Sequence, residues 1–350
     1  MMRRRTFLKS SLAAAAIGSP VVSIFAQQAV TLKFHTFMPP QSDTWRLLCM
    51  PWMEQVTNES NGMIKFEGYP SMQLGGTPPQ LYDQVRDGVV DVIWTLPGLS
   101  AGRFPRSEVF ELPFIMNNPE ATSMAFWEYG QTVAAQEYDE THLIALHTSG
   151  PGVFHSKNKP IHSAADLKGM KVRGPTRQTT KLLAAVGATP VGLPLPGIPD
   201  AISKGVIDAA VLPWQTVPSV KLDELCKYHT QFPKDSGALY TTPFLMTMNK
   251  QKYAGLPAEL KAVMDANSGL ATSGWCGDTT ASTDPVGRKA AEDRGNEIYT
   301  FTDQQASEFI DIAGQVNSEW IADMSDKGFD GQKLYDTAVE LIGKYGKQVG

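Results

Sequence analysis

The sequence predicts an α/β fold made of two similar lobes. After residue 26, short apolar segments typical of strands alternate with segments of helical periodicity. One pattern occurs twice, about 117 residues apart: a helical segment ends at glycine, V-[VI]-D follows, and an apolar strand runs into Leu-Pro (Gly88 to Pro97, Gly205 to Pro213). Two such units would aim their strand ends at one crevice, where open α/β sheets bind ligands.

The first 26 residues are predicted to be an export signal and not part of the fold. A basic start (RRRTFLK) precedes an apolar stretch, Leu12 to Phe25, and a small residue follows at the expected cleavage point. The pair Arg4-Arg5 resembles a twin-arginine signal. A membrane anchor is the alternative, but this apolar run has only about 14 residues and contains Gly18 and Pro20, whereas a spanning helix needs about 20.

Composition restricts the classes of partner. The 350 residues carry a net charge of −5, and without the four basic residues of the signal the chain has 27 basic and 36 acidic residues, a net charge of −9. This balance argues against nucleic acid, and any organic anion would need a local, geometric site. Cys49, Cys226 and Cys276 include no CxxC pair, so either one disulfide or three buried thiols is possible.

Lobe I is predicted from residues 27–150 plus about 240–280. Val30 to Phe34, residues 63–69 and residues 89–94 are strand-like, and helical segments with apolar stripes separate them. HLIALHTSG is the next strand, and either GVFHSKN or the nearby Gly150-Pro151-Gly152 is predicted to cross to the other lobe. Residues 238–249 (ALYTTPFLMTMN) are predicted as a long strand that returns the chain.

Lobe II is predicted from residues 151–239 plus about 281–350, including the C-terminal amphipathic helices. Its central stretch runs from Lys168 to Trp214 and alternates short strands with helical segments. Arg173 lies at the end of the first of these strands, just before Gly174-Pro175. The planar guanidinium of arginine can hold a carboxylate with two parallel hydrogen bonds, so Arg173 is the leading candidate for binding an organic anion.

The search for catalytic motifs finds none. The chain has no P-loop, no GxSxG, no HExxH and no GxGxxG after a strand, and no histidine has zinc-site spacing to a cysteine or another histidine. Asp91 and Asp208 follow helix-ending glycines and are better explained as turn or strand-start residues than as an acid–base pair. Trp214, Trp94 and Phe37 are either core residues or aromatic walls for a ligand.

These motifs, taken in order, resemble the solute-binding subunits of TRAP (tripartite ATP-independent periplasmic) transporters. The resemblance is carried by LGG with DQVRDGVVDVIW, by GRFP and ELPF, by ADLKGMKVRGP, by VGATPVGLPLPGIPDAISKGVIDAAVLPW and by TPFLMTMNKQKYAGLP. It covers the mature chain and implies a two-lobed periplasmic binding protein-like fold with crossing strands and a long connecting helix. It also implies a periplasmic receptor that closes on an organic acid and delivers it to an ion-driven membrane permease.

The resemblance further implies which residues form the ligand site. By it, Arg173 makes a salt bridge to the ligand carboxylate. The other positions that match family pocket residues, or lie beside them, are Phe37, Gly76, Trp94, Leu96, Thr176, Leu195, Pro213 and Trp214.

Two departures from the family pattern narrow the expected ligand. Many relatives have asparagine where this chain has Leu212, and many have a second arginine near the position of Val153. Both changes remove polar partners, so we expect a monocarboxylate with an apolar or aromatic body. Relatives that hold a metal use an acidic residue on the strand after VID. Here that strand (AAVLP) has none, so no metal or other cofactor is expected. A periplasmic enzyme on a two-lobed scaffold and a sensor without transport are the alternatives.

Overall fold

The computed structural model describes residues 29–349, so the predicted export signal lies outside the described residues. Within that range the strands are β1 (Val30–Thr36), β2 (Ile64–Tyr69), β3 (Val92–Thr95), β4 (Thr141–Thr148), β5 (Val153–Ser156), β6 (Lys171–Gly174), β7 (Thr189–Gly192), β8 (Ala209–Leu212), β9 (Tyr228–Gln231), β10 (Pro243–Asn249) and β11 (Glu297–Thr300).

The α-helices of the same range vary from one turn to more than six turns in length. They are α1 (Met50–Glu59), α2 (Leu81–Arg86), α3 (Pro119–Thr132), α4 (Arg177–Ala185), α5 (Ile198–Ser203), α6 (Leu222–Leu225), α7 (Lys250–Ala254), α8 (Ala258–Ala266), α9 (Leu270–Ser282), α10 (Asp284–Asp293), α11 (Asp303–Asp326) and α12 (Gly331–Val349).

Two sheets form the centres of two lobes, which confirms the predicted α/β architecture. Lobe I contains a five-stranded sheet in the order β2-β1-β3-β10-β4, and lobe II a six-stranded sheet in the order β11-β9-β5-β8-β6-β7. In lobe I, β1 runs parallel to β2 and β3, whereas β10 is antiparallel to its neighbours. In lobe II, β6 runs parallel to β7 and β8, whereas β5 is antiparallel to β8 and β9.

The motif that occurs twice in the sequence has the same structure in both lobes. Gly88 and Gly205 both have positive φ, of 74° and 69°, as a helix-ending glycine requires. The Asp91 carboxylate accepts a hydrogen bond from the Lys33 backbone N–H at 2.8 Å, and Asp208 accepts one from the Lys171 N–H at 2.9 Å. The two aspartates therefore fix strand starts, as the sequence indicated, and they make β1–β3 and β6–β8 equivalent units.

Two crossing segments, residues 149–152 and 238–242, join the lobes between the sheets. They are bonded to each other: the Ser149 N–H donates to the Thr242 carbonyl and the Gly152 N–H to the Tyr240 carbonyl, both at 3.0 Å. The strand predicted over residues 238–249 begins only at Pro243, because the residues before it cross between the lobes. The predicted crossover at Gly150-Pro151-Gly152 is present.

The helical connection between the lobes consists of α9 and α10 placed end to end, with Thr283 between them. Helix α9 packs on α3 and β4 of lobe I, whereas α10 packs on α6 and residues 214–216 of lobe II.

The C-terminal helices differ from the prediction, which assigned them to lobe II. Helix α11 spans both lobes, because Phe309 and Val316 lie in the lobe II core whereas Trp320 lies in the lobe I core. Helix α12 packs on α3, and its buried face (Leu334 to Tyr345) belongs to the lobe I core. An amphipathic stripe predicts that a helix face is buried but does not identify the surface that covers it.

Candidate functional site

A cavity lies between the lobes, where the ends of β1, β3, β6 and β8 face the second crossing segment. Aromatic, aliphatic and proline side chains make up most of its wall. Its lining is Phe37, Met38, Thr44, Pro78, Trp94, Leu96, Leu99, Arg173, Pro175, Pro194, Leu195, Leu212, Pro213, Gln215, Thr216, Tyr240, Thr242 and Phe244. The cavity is small, with a volume of about 50 Å³.

Arg173 is the only charged residue in this lining, and only 4% of it is exposed. Its Nε donates to the Leu193 carbonyl at 2.7 Å and its Nη1 to the Val211 carbonyl at 3.4 Å. No carboxylate of residues 29–349 forms an ion pair with it, and Nη2 has no hydrogen-bond acceptor among them. Burial lowers the pKa of Arg173 to about 10, which still leaves it charged at neutral pH.

The strand geometry explains why Arg173 is held in this way. It is the third residue of β6 and lies between Val191 of β7 and Ala210 of β8 in register. The Leu193 and Val211 carbonyls accept its hydrogen bonds and hold the guanidinium at the end of the strand. Leaving a buried cation without a counter-ion costs roughly several kcal/mol, so an anion placed beside Arg173 would be electrostatically favourable.

Three neighbouring aromatic rings form the lobe I wall, with Trp94 stacked on Phe244 and Phe37 tilted against Trp94. The Trp94 ring lies 4.4 Å from Phe244 and 5.7 Å from Phe37, measured between centroids. The Trp94 indole Nε1 donates to His147 Nε2 at 2.8 Å, which orients the ring. Burial lowers the pKa of His147 to about 3, so the imidazole is neutral and can accept this bond. The wall is therefore apolar and rigid.

Six of the predicted site residues lie together in the cavity wall: Phe37, Trp94, Leu96, Arg173, Leu195 and Pro213. Trp214 does not line the cavity, because a helical turn begins there and directs its ring away from the cleft. The ring packs between His155 and His229, and Nε1 donates to Gln231 Oε1 at 2.9 Å.

Thr176 and Gly76 also lie outside the lining. The Thr176 side chain bonds Thr179 across 3.1 Å and packs against Gly98, so it contributes to the contact between the lobes. Gly76 lies against the Gln84 side chain with φ of 85°, in a loop that packs on α2. Both residues therefore have structural roles in this conformation.

Among the cavity-lining residues that were not predicted from the sequence, three lie on the second crossing segment and the strand after it. Tyr240, Thr242 and Phe244 alternate along one face of the chain and all line the cavity. Their two-residue spacing is present in the sequence, and any chain that crosses between two lobes must pass the cleft. Gln215 and Thr216 lie in the same helical turn as Trp214 and line the cavity, but no sequence pattern distinguishes them from other polar residues.

The three cysteines are all buried, and none forms a disulfide within residues 29–349. In the same part of the chain, no group of His, Cys, Asp and Glu side chains is arranged to hold a metal ion. None of the helices described there combines the length and the apolar character that crossing a membrane requires.

Comparison with known proteins gives a consistent relationship. Residues 35–323 match the family described as bacterial extracellular solute-binding protein, family 7. A TRAP solute-binding protein from Rhodoferax ferrireducens, crystallised with copurified benzoate, is 56% identical, with a TM-score of 0.91 over 92% of this chain and 100% of that one.

Two further relatives are similar over most of their length. A marine metagenome TRAP solute-binding protein specific for aromatic acid ligands, in complex with 3-hydroxybenzoate, is 49% identical, with a TM-score of 0.89 over 91% of this chain and 99% of that one. The outer membrane transporter protein TsaT of Comamonas testosteroni is 25% identical over 95% of this chain and 96% of its own.

Proposed function

Because the chain belongs to family 7 of the bacterial extracellular solute-binding proteins, we propose that it is a TRAP receptor for an aromatic monocarboxylate. The ligand lies in the cavity between the lobes, with its carboxylate on Arg173 and its ring against Phe37, Trp94 and Phe244. The bound receptor then delivers the ligand to the membrane permease subunits with which receptors of this family work.

The observation that carries the proposal is the buried guanidinium of Arg173 without a carboxylate partner. A ligand carboxylate supplies the counter-ion for this guanidinium. It also accepts hydrogen bonds from the free N–H groups in a geometry that guanidinium favours. A charge-assisted bond of this kind, shielded from water, contributes about 2–5 kcal/mol when judged by removal of one partner.

The rest of the wall supports a ligand with one charge and an aromatic body. No second cation lines the cavity, so a second carboxylate would be buried without a partner. Stacked rings offer flat apolar surfaces to another ring, with which offset or edge-to-face contact is favourable. The relatives from Rhodoferax ferrireducens and from the marine metagenome hold benzoate and 3-hydroxybenzoate, which fit these requirements.

Contacts between the two lobes offer a mechanism by which the receptor signals to the permease that ligand is bound. The Glu108 carboxylate of lobe I pairs with Arg177 at the start of α4 in lobe II, and Gln178 Nε2 donates to the same carboxylate at 3.0 Å. Ligand bound to both lobes favours this closed arrangement over an open one, because only the closed arrangement offers both sets of contacts. The permease partner then recognises the closed receptor.

Calorimetric titration of the purified mature protein tests the proposal. The ligand panel contains benzoate, 3-hydroxybenzoate, succinate and a sugar acid, and each mixture is afterwards analysed for chemical products. We expect saturable binding of the two aromatic monocarboxylates, no measurable binding of the other two, and no product. Preferred binding of succinate or the sugar acid, or conversion of any compound, would refute it.

The export route is a separate part of the proposal. The basic start and the pair Arg4-Arg5 support passage by the twin-arginine route to the periplasm. Replacement of both arginines by lysine should leave the precursor in the cytoplasm, as fractionation and immunoblotting would detect. Unchanged periplasmic yield would contradict this route without affecting the proposed ligand.

A further inference from the structure

Tyr240 brings a buried, unpaired hydroxyl to the cavity wall near Arg173. The residue lies on the second crossing segment, its side chain is part of the cavity wall, and only 1% of it is exposed. Its hydroxyl has no hydrogen-bond partner among residues 29–349. Leaving a buried hydroxyl unpaired is unfavourable, so an unpaired hydroxyl in a cavity wall points to a hydrogen-bonding group that arrives with the ligand.

The charge state of Tyr240 suits a donor to an anion. Burial raises the pKa of its hydroxyl above the ordinary value. The nearby Arg173 charge and the Thr242 side chain, which lies near the hydroxyl without hydrogen-bond geometry, only partly oppose that effect. The phenol therefore keeps its proton throughout the neutral range. A neutral O–H can donate to a carboxylate oxygen and adds no positive charge to the site.

Gly152 explains why a tyrosine occupies this place. A Cβ at Gly152 would overlap the Tyr240 ring. Gly152 does not have positive φ. Glycine is therefore required at this position because there is no space for a Cβ atom, and not because of the backbone conformation. A longer side chain on the first crossing segment at this point, cationic or not, would exclude the tyrosine ring.

We propose that Tyr240 is a specificity-determining residue whose hydroxyl donates a hydrogen bond to the ligand carboxylate already held by Arg173. Gly152 makes room for the Tyr240 ring. Arg173 and Tyr240 then offer the ligand carboxylate two hydrogen-bonding side chains but only one positive charge. The site therefore selects singly charged head groups, whereas a second cation here would favour dianions. This inference rests on the proposed function, because it assigns one contact within the same complex.

Calorimetric titration with benzoate compares the wild type with Tyr240→Phe and with a matched control, Tyr82→Phe. Tyr82 is also a buried tyrosine whose hydroxyl has no partner among the described residues, but it lies in the lobe I core and outside the cavity wall. We expect Tyr240→Phe to weaken benzoate binding about tenfold or more, as for a hydrogen bond to a charged group, and Tyr82→Phe to change it less than about twofold.

Thermal unfolding of the same proteins separates a ligand contact from a structural role. Tyr240→Phe removes an unpaired hydroxyl, so the melting temperature without ligand should not fall, whereas the increase caused by saturating benzoate should shrink. If the wild type binds benzoate and Tyr240→Phe binds it within twofold, the inference is overturned and the proposed function stands. If the wild type binds no aromatic carboxylate, both are overturned.

Discussion

The β1–β3 unit of lobe I and the β6–β8 unit of lobe II share one backbone arrangement but differ at one decisive position. Counted from the lysine whose N–H each aspartate accepts, His35 in lobe I corresponds to Arg173 in lobe II. Burial lowers the pKa of His35, and its Nδ1 bonds Gln84 Oε1 at 2.8 Å. His35 is thus a neutral residue bonded to a side chain of its own lobe, whereas Arg173 is a buried charge that forms no ion pair with any of residues 29–349.

In the proposed complex, the two lobes therefore supply different contacts to the ligand. Lobe I satisfies its polar group internally and offers the aromatic wall of Phe37, Trp94 and Phe244. Lobe II leaves its cation unpaired at the same place in the equivalent unit. Similar α/β units can therefore be specialised by single side chains at the strand ends, where the ligand is bound.

The largest expected effect comes from replacing Arg173 and, for comparison, His35 by uncharged residues of similar size. Arg173→Met should weaken benzoate binding by about a hundredfold, because the charge-assisted pair is lost. His35→Gln keeps a polar partner for Gln84 and should change the affinity less than twofold. Calorimetry measures both. If Arg173→Met binds benzoate as tightly as the wild type does, the comparison between the lobes is broken.

A smaller effect is expected at the aspartates that hold the two units. Asp91→Ala and Asp208→Ala should each lower the free energy of unfolding by about 1–2 kcal/mol, through loss of a bond to a backbone N–H. Because only Asp208 supports the strand that carries Arg173, only its replacement should weaken benzoate binding, by about threefold to tenfold. Urea unfolding and calorimetry test this, and equal losses of affinity would contradict it.

The contact between the lobes should make stability depend on pH. Burial and the neighbouring Glu108 carboxylate raise the pKa of Glu111 from 4.5 to about 8. The folded protein therefore binds this proton more tightly than the unfolded chain, so Glu111 contributes a decrease in the free energy of unfolding as the pH rises from about 4.5 to about 8. Buried neutral histidines such as His147 contribute an increase over the lower part of this range, because burial lowers the pKa of His147 to about 3. From pH 5 to pH 8, the free energy of unfolding measured in urea should therefore change in a more positive direction for Glu111→Gln than for the wild type.

Asp284 complicates this measurement in a predictable way. Burial raises its pKa to about 7, so it contributes a decrease of the same sign over a narrower range. Some pH dependence should therefore remain in Glu111→Gln. An identical pH dependence in the wild type and the variant would show that Glu111 does not hold its proton in the folded protein.

The smallest effect is expected at Trp214. Its ring packs on His155 and His229 and bonds Gln231, outside the cavity wall. Trp214→Phe should lower stability through loss of the indole N–H bond while leaving benzoate affinity within about twofold. The same change at Trp94, whose ring is part of the wall, should weaken binding more. Equal losses of affinity at both positions would contradict the division.

Much of the fold and part of the site were predictable from the sequence, because they depend on local patterns. The repeated Gly-Val-Asp motif gave the two equivalent units, and Arg173 at a strand end before Gly-Pro gave the cation of the cavity. The direction of Trp214 was not predictable, since a turn that begins at that residue decides it. The placement of α12 and the approach of Tyr240 to Arg173 depend on contacts between residues far apart in sequence.

A crystal structure of the protein with benzoate tests the central claim most directly. We predict that the benzoate carboxylate lies within hydrogen-bond distance of the Arg173 guanidinium and that its ring packs against Phe37, Trp94 and Phe244. Benzoate bound elsewhere, or bound in the cavity with its carboxylate directed away from Arg173, would contradict the assignment of this arginine as the group that holds the ligand.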